Sequence, residues 1–239
     1  FDETLDVEDL MQEAEGKLFE ISQRNVKKDV TQINPVIKDA MEMLQKAALQ
    51  KEGLSGLRTG FEGLDKMTSG WQNSDLIIIA ARPAMGKTAF VLSMAKNMAV
   101  NFNTPVALFS LEMSNVQLVN RLLVNVCEIP GEKIKSGQLA PYEWGQLDYK
   151  IKELYDAPLY VDDTPSLSVF ELRTKARRLV REHGVKIIII DYLQLMNASG
   201  MSFGSRQEEV STISRSLKGL AKELNIPIIA PVSYTHLRA

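Results

Sequence analysis

Apolar residues along this chain follow two rhythms. In residues 7–23 they recur at Leu10, Met11, Ala14, Leu18 and Ile21. That is the spacing of one helix face, with acids early and bases late as the helix dipole favours. After the polar stretch RNVKKDVTQI, the segment NPVIKDAMEMLQKAALQ predicts a second helix, with Asn34 as its cap and Pro35 at its first helical position. From Gly53 the rhythm changes. Short aliphatic runs, Leu76–Ala80, Val106–Ser110, Leu159–Val161, Ile187–Ile190 and Ile226–Ala230, alternate with amphipathic helical stretches. Runs this continuous suit strands buried on both faces, and their alternation with helices predicts an α/β fold around a mostly parallel sheet. A sheet that stops at its fifth strand is expected to leave an unpaired apolar edge. Residues 1–52 therefore read as a helical linker arm and 53–230 as the core domain. The arm is either a set of surface helices or a stripe that docks on another subunit.

One helical stretch, GSRQEEVSTISRSLKGLAKEL, puts Val210, Ile213, Leu217, Leu220 and Leu224 on a buried stripe and leaves Arg206, Arg215, Lys218 and Lys222 for a solvated face. The loop before it, MNASGMSFGS, is long and Gly/Ser-rich. Trp71, Trp144 and the methionines at 11, 41, 43, 94, 98, 113, 196 and 201 read as packing residues.

Composition narrows the classes. The net charge is −2 over 239 residues, so overall basicity cannot drive nucleic-acid binding, and a local basic surface would have to do so. A single cysteine, Cys127, excludes an intrachain disulfide, and with only His183 and His236 a Cys/His zinc site is not expected. The acidic start FDETLDVEDL is not a signal peptide, and no apolar run approaches the ~20 residues of a membrane helix. A cytoplasmic protein with no membrane partner is expected.

The densest chemistry lies in AARPAMGKTAF, which follows the run DLIII. A strand, a tight loop and a helix N-terminus form an anion site, because successive N–H groups point inward and the helix dipole adds positive potential. Ala81, Arg82, Pro83, Ala84, Met85, Gly86, Lys87 and Thr88 form this phosphate loop. Gly86 allows close approach, Lys87 reaches the β- and γ-phosphates, and Thr88 ligates Mg²⁺. The pattern usually opens on Gly, where this chain has Ala81. A nucleotide and Mg²⁺ are the expected ligands. In KIIIIDYLQL, Asp191 closes a strand at the edge where open α/β sheets bind ligands, and it suits the metal shell. In ALFSLEMS, Glu112 follows another strand and is placed to be the general base for an attacking water. The pair Asp162 and Asp163 in LYVDDTP faces opposite ways on a strand, so a turn or capping role is expected rather than a shared-proton dyad.

Taken together and in order, DLIIIAARPAMGKTAF, ALFSLEMS, IIIIDYLQL and EVSTISRSLKGLAKELNIPII resemble the bacterial replicative DNA helicases of the DnaB family, from about residue 5 to 230. GLRTGFEGLDKMTSGWQ resembles the lead into that family's RecA-like motor. The resemblance implies a hexameric ring that hydrolyses ATP to move along single-stranded DNA, with primase and a helicase loader as partners. It carries catalytic roles onto Lys87 and Glu112, metal roles onto Thr88 and Asp191, and a nucleotide contact onto Arg121. It also implies that the helix over 7–23 docks on a neighbouring motor. The family's primase-receiving N-terminal domain has no counterpart here. Where the family has a γ-phosphate-sensing Gln after NIPIIA, this chain has Ser233, and residues 231–239 (PVSYTHLRA) are expected to be a non-native tail. The family's later DNA loops and its cationic finger are likewise not expected within residues 1–239. Two other readings stay open: a RecA-type recombinase or ring ATPase, and a nucleotide-binding fragment without motor activity.

Overall fold

The computed structural model describes Lys17 and residues 32–49, 54–197 and 205–233. The stripe expected over residues 7–23 lies outside the described residues, as do residues 198–204 of the Gly/Ser-rich loop and 234–239 of the expected tail.

Helix α1 spans Ile33–Leu49. It starts one residue ahead of the expected cap, so Asn34 and Pro35 sit inside the first turn. Proline is tolerated there because first-turn N–H groups have no helical partner. Its apolar positions Ile33, Val36, Ile37, Met41 and Leu44 are all at least half exposed, so Met41 is not the packing residue expected of it.

The core domain is built on five parallel strands: β1 (Leu76–Ala81), β2 (Val106–Ser110), β3 (Leu159–Asp162), β4 (Ile187–Asp191) and β5 (Ile228–Ser233). Their order across the sheet is β1-β5-β4-β2-β3. The fifth strand is therefore not an edge. It lies between β1 and β4, with Ile228 paired to both Leu76 and Ile188. The apolar edge among the described strands is β1, where Ile78 is 47% exposed. The strand expected from Ile226 begins at Ile228, because Asn225 ends the preceding helix in a left-handed conformation, the Ile226 N–H bonds the Ala221 carbonyl, and Pro227 has no N–H to give a ladder. Pro231, Val232 and Ser233 pair with Ile79, Ala80 and Ala81, so the boundary expected at 230 falls inside β5.

Helices cover both faces, and alternation along the strands sorts side chains between them. Ile188, Ile190, Ala107, Phe109, Ile228 and Ala230 pack with helices α8 (Val169–His183) and α9 (Arg206–Leu224). Ile187, Ile189, Val106, Leu108 and Ile229 pack with α3 (Lys87–Lys96) and α4 (Asn115–Cys127). The short α2 (Glu62–Thr68) precedes β1, and α5 (Gly131–Ser136), α6 (Pro141–Lys150) and α7 (Lys152–Tyr155) lie between α4 and β3. Trp71 is buried and donates its indole N–H to Met94 Sδ at 3.2 Å, whereas Trp144 is 48% exposed on α6 and is not a core residue. On α9, Ile213, Leu217, Leu220 and Ala221 are buried, with Val210 and Leu224 packed partly against them. Ser205 caps this helix by accepting from the Glu208 N–H. Its cations are not all solvated: Lys218 binds Asp75 at 3.0 Å and the Ser74 carbonyl at 2.9 Å, tying α9 to the start of β1.

Candidate nucleotide site

The loop between β1 and α3 turns tightly. The Met85 N–H bonds the Arg82 carbonyl at 3.3 Å, and both Ala84 (φ 61°) and Gly86 (φ 83°) are left-handed. At Gly86 a side chain would meet no atom within 4 Å, so glycine is required by backbone conformation and not by lack of room. This puts the N-terminus of α3 at the C-terminal edge of the sheet. Lys87 folds back over the loop, its ammonium donating to the carbonyls of Ala81 (3.1 Å) and Arg82 (3.2 Å) and to Ser233 Oγ (3.3 Å).

Asp191 ends β4 and is 2% exposed. Burial pushes its carboxyl above the usual range; Glu112 adds to that, while a hydrogen bond from Thr88 and the charges of Arg121 and Lys87 oppose it. Its Oδ2 is buried with no hydrogen-bond partner among the described residues. A buried carboxylate oxygen left open beside a threonine hydroxyl is the donor set a hard cation such as Mg²⁺ takes.

Glu112 sits in the turn between β2 and α4, and main-chain bonds hold that turn on each side. The Leu111 N–H bonds the Asp191 carbonyl at 2.8 Å and the Met113 N–H bonds Ser110 Oγ at 3.1 Å. Ser114 then caps α4 in a capping box with Gln117. Arg121 rides on α4 with its side chain exposed.

These elements enclose a cavity of about 620 Å³ lined by Pro83, Ala84, Gly86, Lys87, Thr88, Glu112, Arg121 and Asp191, with Ala89, Met113, Tyr192, Gln194 and Ser233. A second cavity of about 500 Å³ continues past Glu112 and Arg121 between α4 and α5. Of the expected nucleotide-binding residues, Ala81, Arg82 and Met85 do not line the main cavity. The first two contribute carbonyls that hold Lys87, and Met85 points outward, 72% exposed. Tyr192 and Gln194 were not singled out by sequence reasoning, although both lie within the IDYLQL motif; the turn Leu193–Leu195 brings Gln194 back to the site, where its amide brackets the Ser233 backbone at 3.1 and 3.3 Å. The Asp pair behaves as expected of turn and capping residues: Asp162 accepts from the Thr164 N–H and binds Lys175, and Asp163 accepts from the Asn115 N–H at the start of α4.

A parallel sheet, a phosphate loop opening its first crossover helix and a buried carboxylate on a central strand define a P-loop nucleotide-binding domain. The profile described as the DnaB-like helicase C terminal domain matches residues 56–234, and the chain belongs to that family. It is 46% identical over 225 residues to the replicative DNA helicase DnaB of Geobacillus stearothermophilus, covering 94% of this chain and 50% of that protein. With the replicative DNA helicase DnaC of Bacillus subtilis it shares 44% identity over the same extent. The chain thus spans about half the length of these relatives. Among solved structures it is similar to an ATPase domain, with a TM-score of 0.78 and 36% identity over 85% of this chain and 71% of that one. It is also similar to a DnaB-like replicative helicase described with its interactions with primase, with a TM-score of 0.74 and 36% identity over 92% of this chain and 52% of that one. The fold is the RecA-like one of these ATPase domains.

Proposed function

We propose that this chain is the ATPase motor portion of a replicative DNA helicase, with residues 1–52 as its linker arm and residues 53–230, extended by the paired residues 231–233, as the motor. The observation that carries the reading is the juxtaposition at Asp191. A carboxylate 2% exposed, with one oxygen that has no partner among the described residues, lines one cavity with Thr88, Glu112 and the phosphate loop. Lys87 exchanges its loop carbonyls for the β- and γ-phosphates of ATP. Thr88 and Asp191 hold Mg²⁺, which when bound neutralises charge on the phosphates. Glu112 takes the proton of the water that attacks the γ-phosphorus, and the bond to the β-phosphate oxygen breaks to leave ADP and phosphate. Arg121 faces the same cavity and adds positive charge beside the transferred group.

Single-stranded DNA is the polymer substrate, the assembly is a hexameric ring in the cytoplasm, and primase and a loader are partners of the full-length protein. No described helix is long and apolar enough to cross a membrane. The exposed stripe of α1 supports a docking role for the arm, because an amphipathic helix with its apolar face in water is marginal alone. Steady-state ATP hydrolysis measured with and without single-stranded DNA tests the proposal. Stimulation by the polymer supports a motor, and tight ATP binding with no turnover in either condition would leave only a nucleotide-binding module.

A further inference from the structure

The Asp163 carboxylate is joined to the turn that carries Glu112 although 48 residues separate it from Asn115. One of its oxygens accepts the main-chain N–H of Asn115 at 2.8 Å, and the other accepts the Asn115 side-chain amide at 3.0 Å. Asn115 is the first residue of α4 and lies three residues after Glu112. Ser114 and Gln117 already satisfy each other at this terminus, so Asp163, just past the end of β3, is an additional anchor. A carboxylate there is favoured by the helix dipole. The anchor is itself held: Lys175 of α8 bonds Asp162 at 2.9 Å and Thr164 Oγ1 at 2.6 Å, and the Thr164 N–H bonds Asp162 Oδ1 at 2.9 Å. The turn 111–115 is therefore fixed at both ends, to the Asp191 carbonyl at Leu111 and to the end of β3 at Asn115.

We infer that Asp163 is a positioning residue for hydrolysis: by anchoring the first turn of α4 to the end of β3 it holds Glu112 at the nucleotide cavity. The inference rests on the reading of Glu112 as general base. Asp163 takes no part in the chemistry and is absent from the cavity lining, so its effect is on turnover and not on nucleotide affinity. A group misplaced by about an ångström loses roughly ten- to a hundredfold in rate.

The test uses the whole 239-residue chain, with four variants: Asp163→Ala, Asp163→Asn, Glu112→Gln, and Asp163→Ala combined with Glu112→Gln. Single-turnover hydrolysis, ATP affinity and amide exchange are measured for each. Asp163→Ala is expected to lower the hydrolysis rate roughly ten- to a hundredfold with ATP affinity within about threefold. Asp163→Asn, which keeps an acceptor oxygen for the Asn115 N–H, recovers part of the rate. In the Glu112→Gln background, loss of the Asp163 carboxylate adds nothing further. Amide exchange accelerates in residues 111–117 but not in 87–96. An unchanged rate, a full additional loss in the Glu112→Gln background, or unaltered exchange in 111–117 would each overturn the inference. Full hydrolysis by Glu112→Gln alone would instead sink the general-base reading, and the exchange result would still decide whether Asp163 anchors the turn.

Discussion

Replacing Lys87 by alanine separates nucleotide affinity from fold stability. In the structure the ammonium spends its three donors on the Ala81 and Arg82 carbonyls and on Ser233 Oγ, at 3.1 to 3.3 Å. Arg82 lies in an exposed turn, and Ala81 and Ser233, at the ends of β1 and β5, are only partly buried, so water replaces the lost donors and the apo protein changes by about 1 kcal/mol. With a nucleotide bound, the same donors meet phosphate oxygens, where each charge-assisted bond contributes roughly 1.5–3 kcal/mol. Losing one such bond's worth weakens Mg-ATP binding about ten- to a hundredfold, since 1.4 kcal/mol is tenfold. Titration calorimetry of parent and Lys87→Ala, with thermal melts of both, gives the two quantities independently. The expected pair is a melting temperature within a few degrees of the parent and an affinity at least tenfold weaker. Equal ATP affinity in the two proteins would refute the phosphate-loop assignment.

Glu112→Gln should bind ATP like the parent and hydrolyse it slowly in a quenched-flow assay, whereas Asp191→Asn should shift the Mg²⁺ concentration needed for binding. In α1, Ile37→Asp and Met41→Asp are expected to move the particle mass measured by light scattering towards monomer without changing ATP binding; the same mass as the parent would remove α1 from the interface, and Leu18→Asp tests the helix expected over 7–23 in the same way. Glu223 joins α9 to Arg173 and Arg177 of α8. Burial raises its carboxyl, but the hydrogen bonds and charges of Arg177 and Arg173 outweigh burial and hold it below the usual range. Its contribution is thus present above the unfolded value of about 4.3 and is lost as pH falls through the lower folded value. Glu223→Gln should cost about 1 kcal/mol at pH 7 in urea unfolding, with the difference shrinking in that acid range.

Local chemistry made the strands and the loop readable. Four isoleucines in a row can only be buried on both faces, and Ile187–Asp191 is the central strand. The sequence Gly-Lys-Thr after an aliphatic run carries its own conformational requirement, and the structure answers it with a left-handed Gly86 opening α3. What the residues could not reveal was strand order, because pairing in a parallel sheet depends on crossovers and not on neighbours in sequence. That order moved the fifth strand from edge to interior and left β1 exposed. Trp144 and Met41 likewise look like core residues by type, yet only the packing of their helices decides which face meets solvent. The site shows the same division. Lys87, Glu112 and Asp191 could be singled out as candidates because each lies at or shortly after a recognisable strand: Lys87 opens the helix after β1, Glu112 follows β2 and Asp191 ends β4. The meeting of Thr88 and Asp191 in one cavity and the Asp163 anchor on Asn115 join segments tens of residues apart, and only the tertiary structure brings them together.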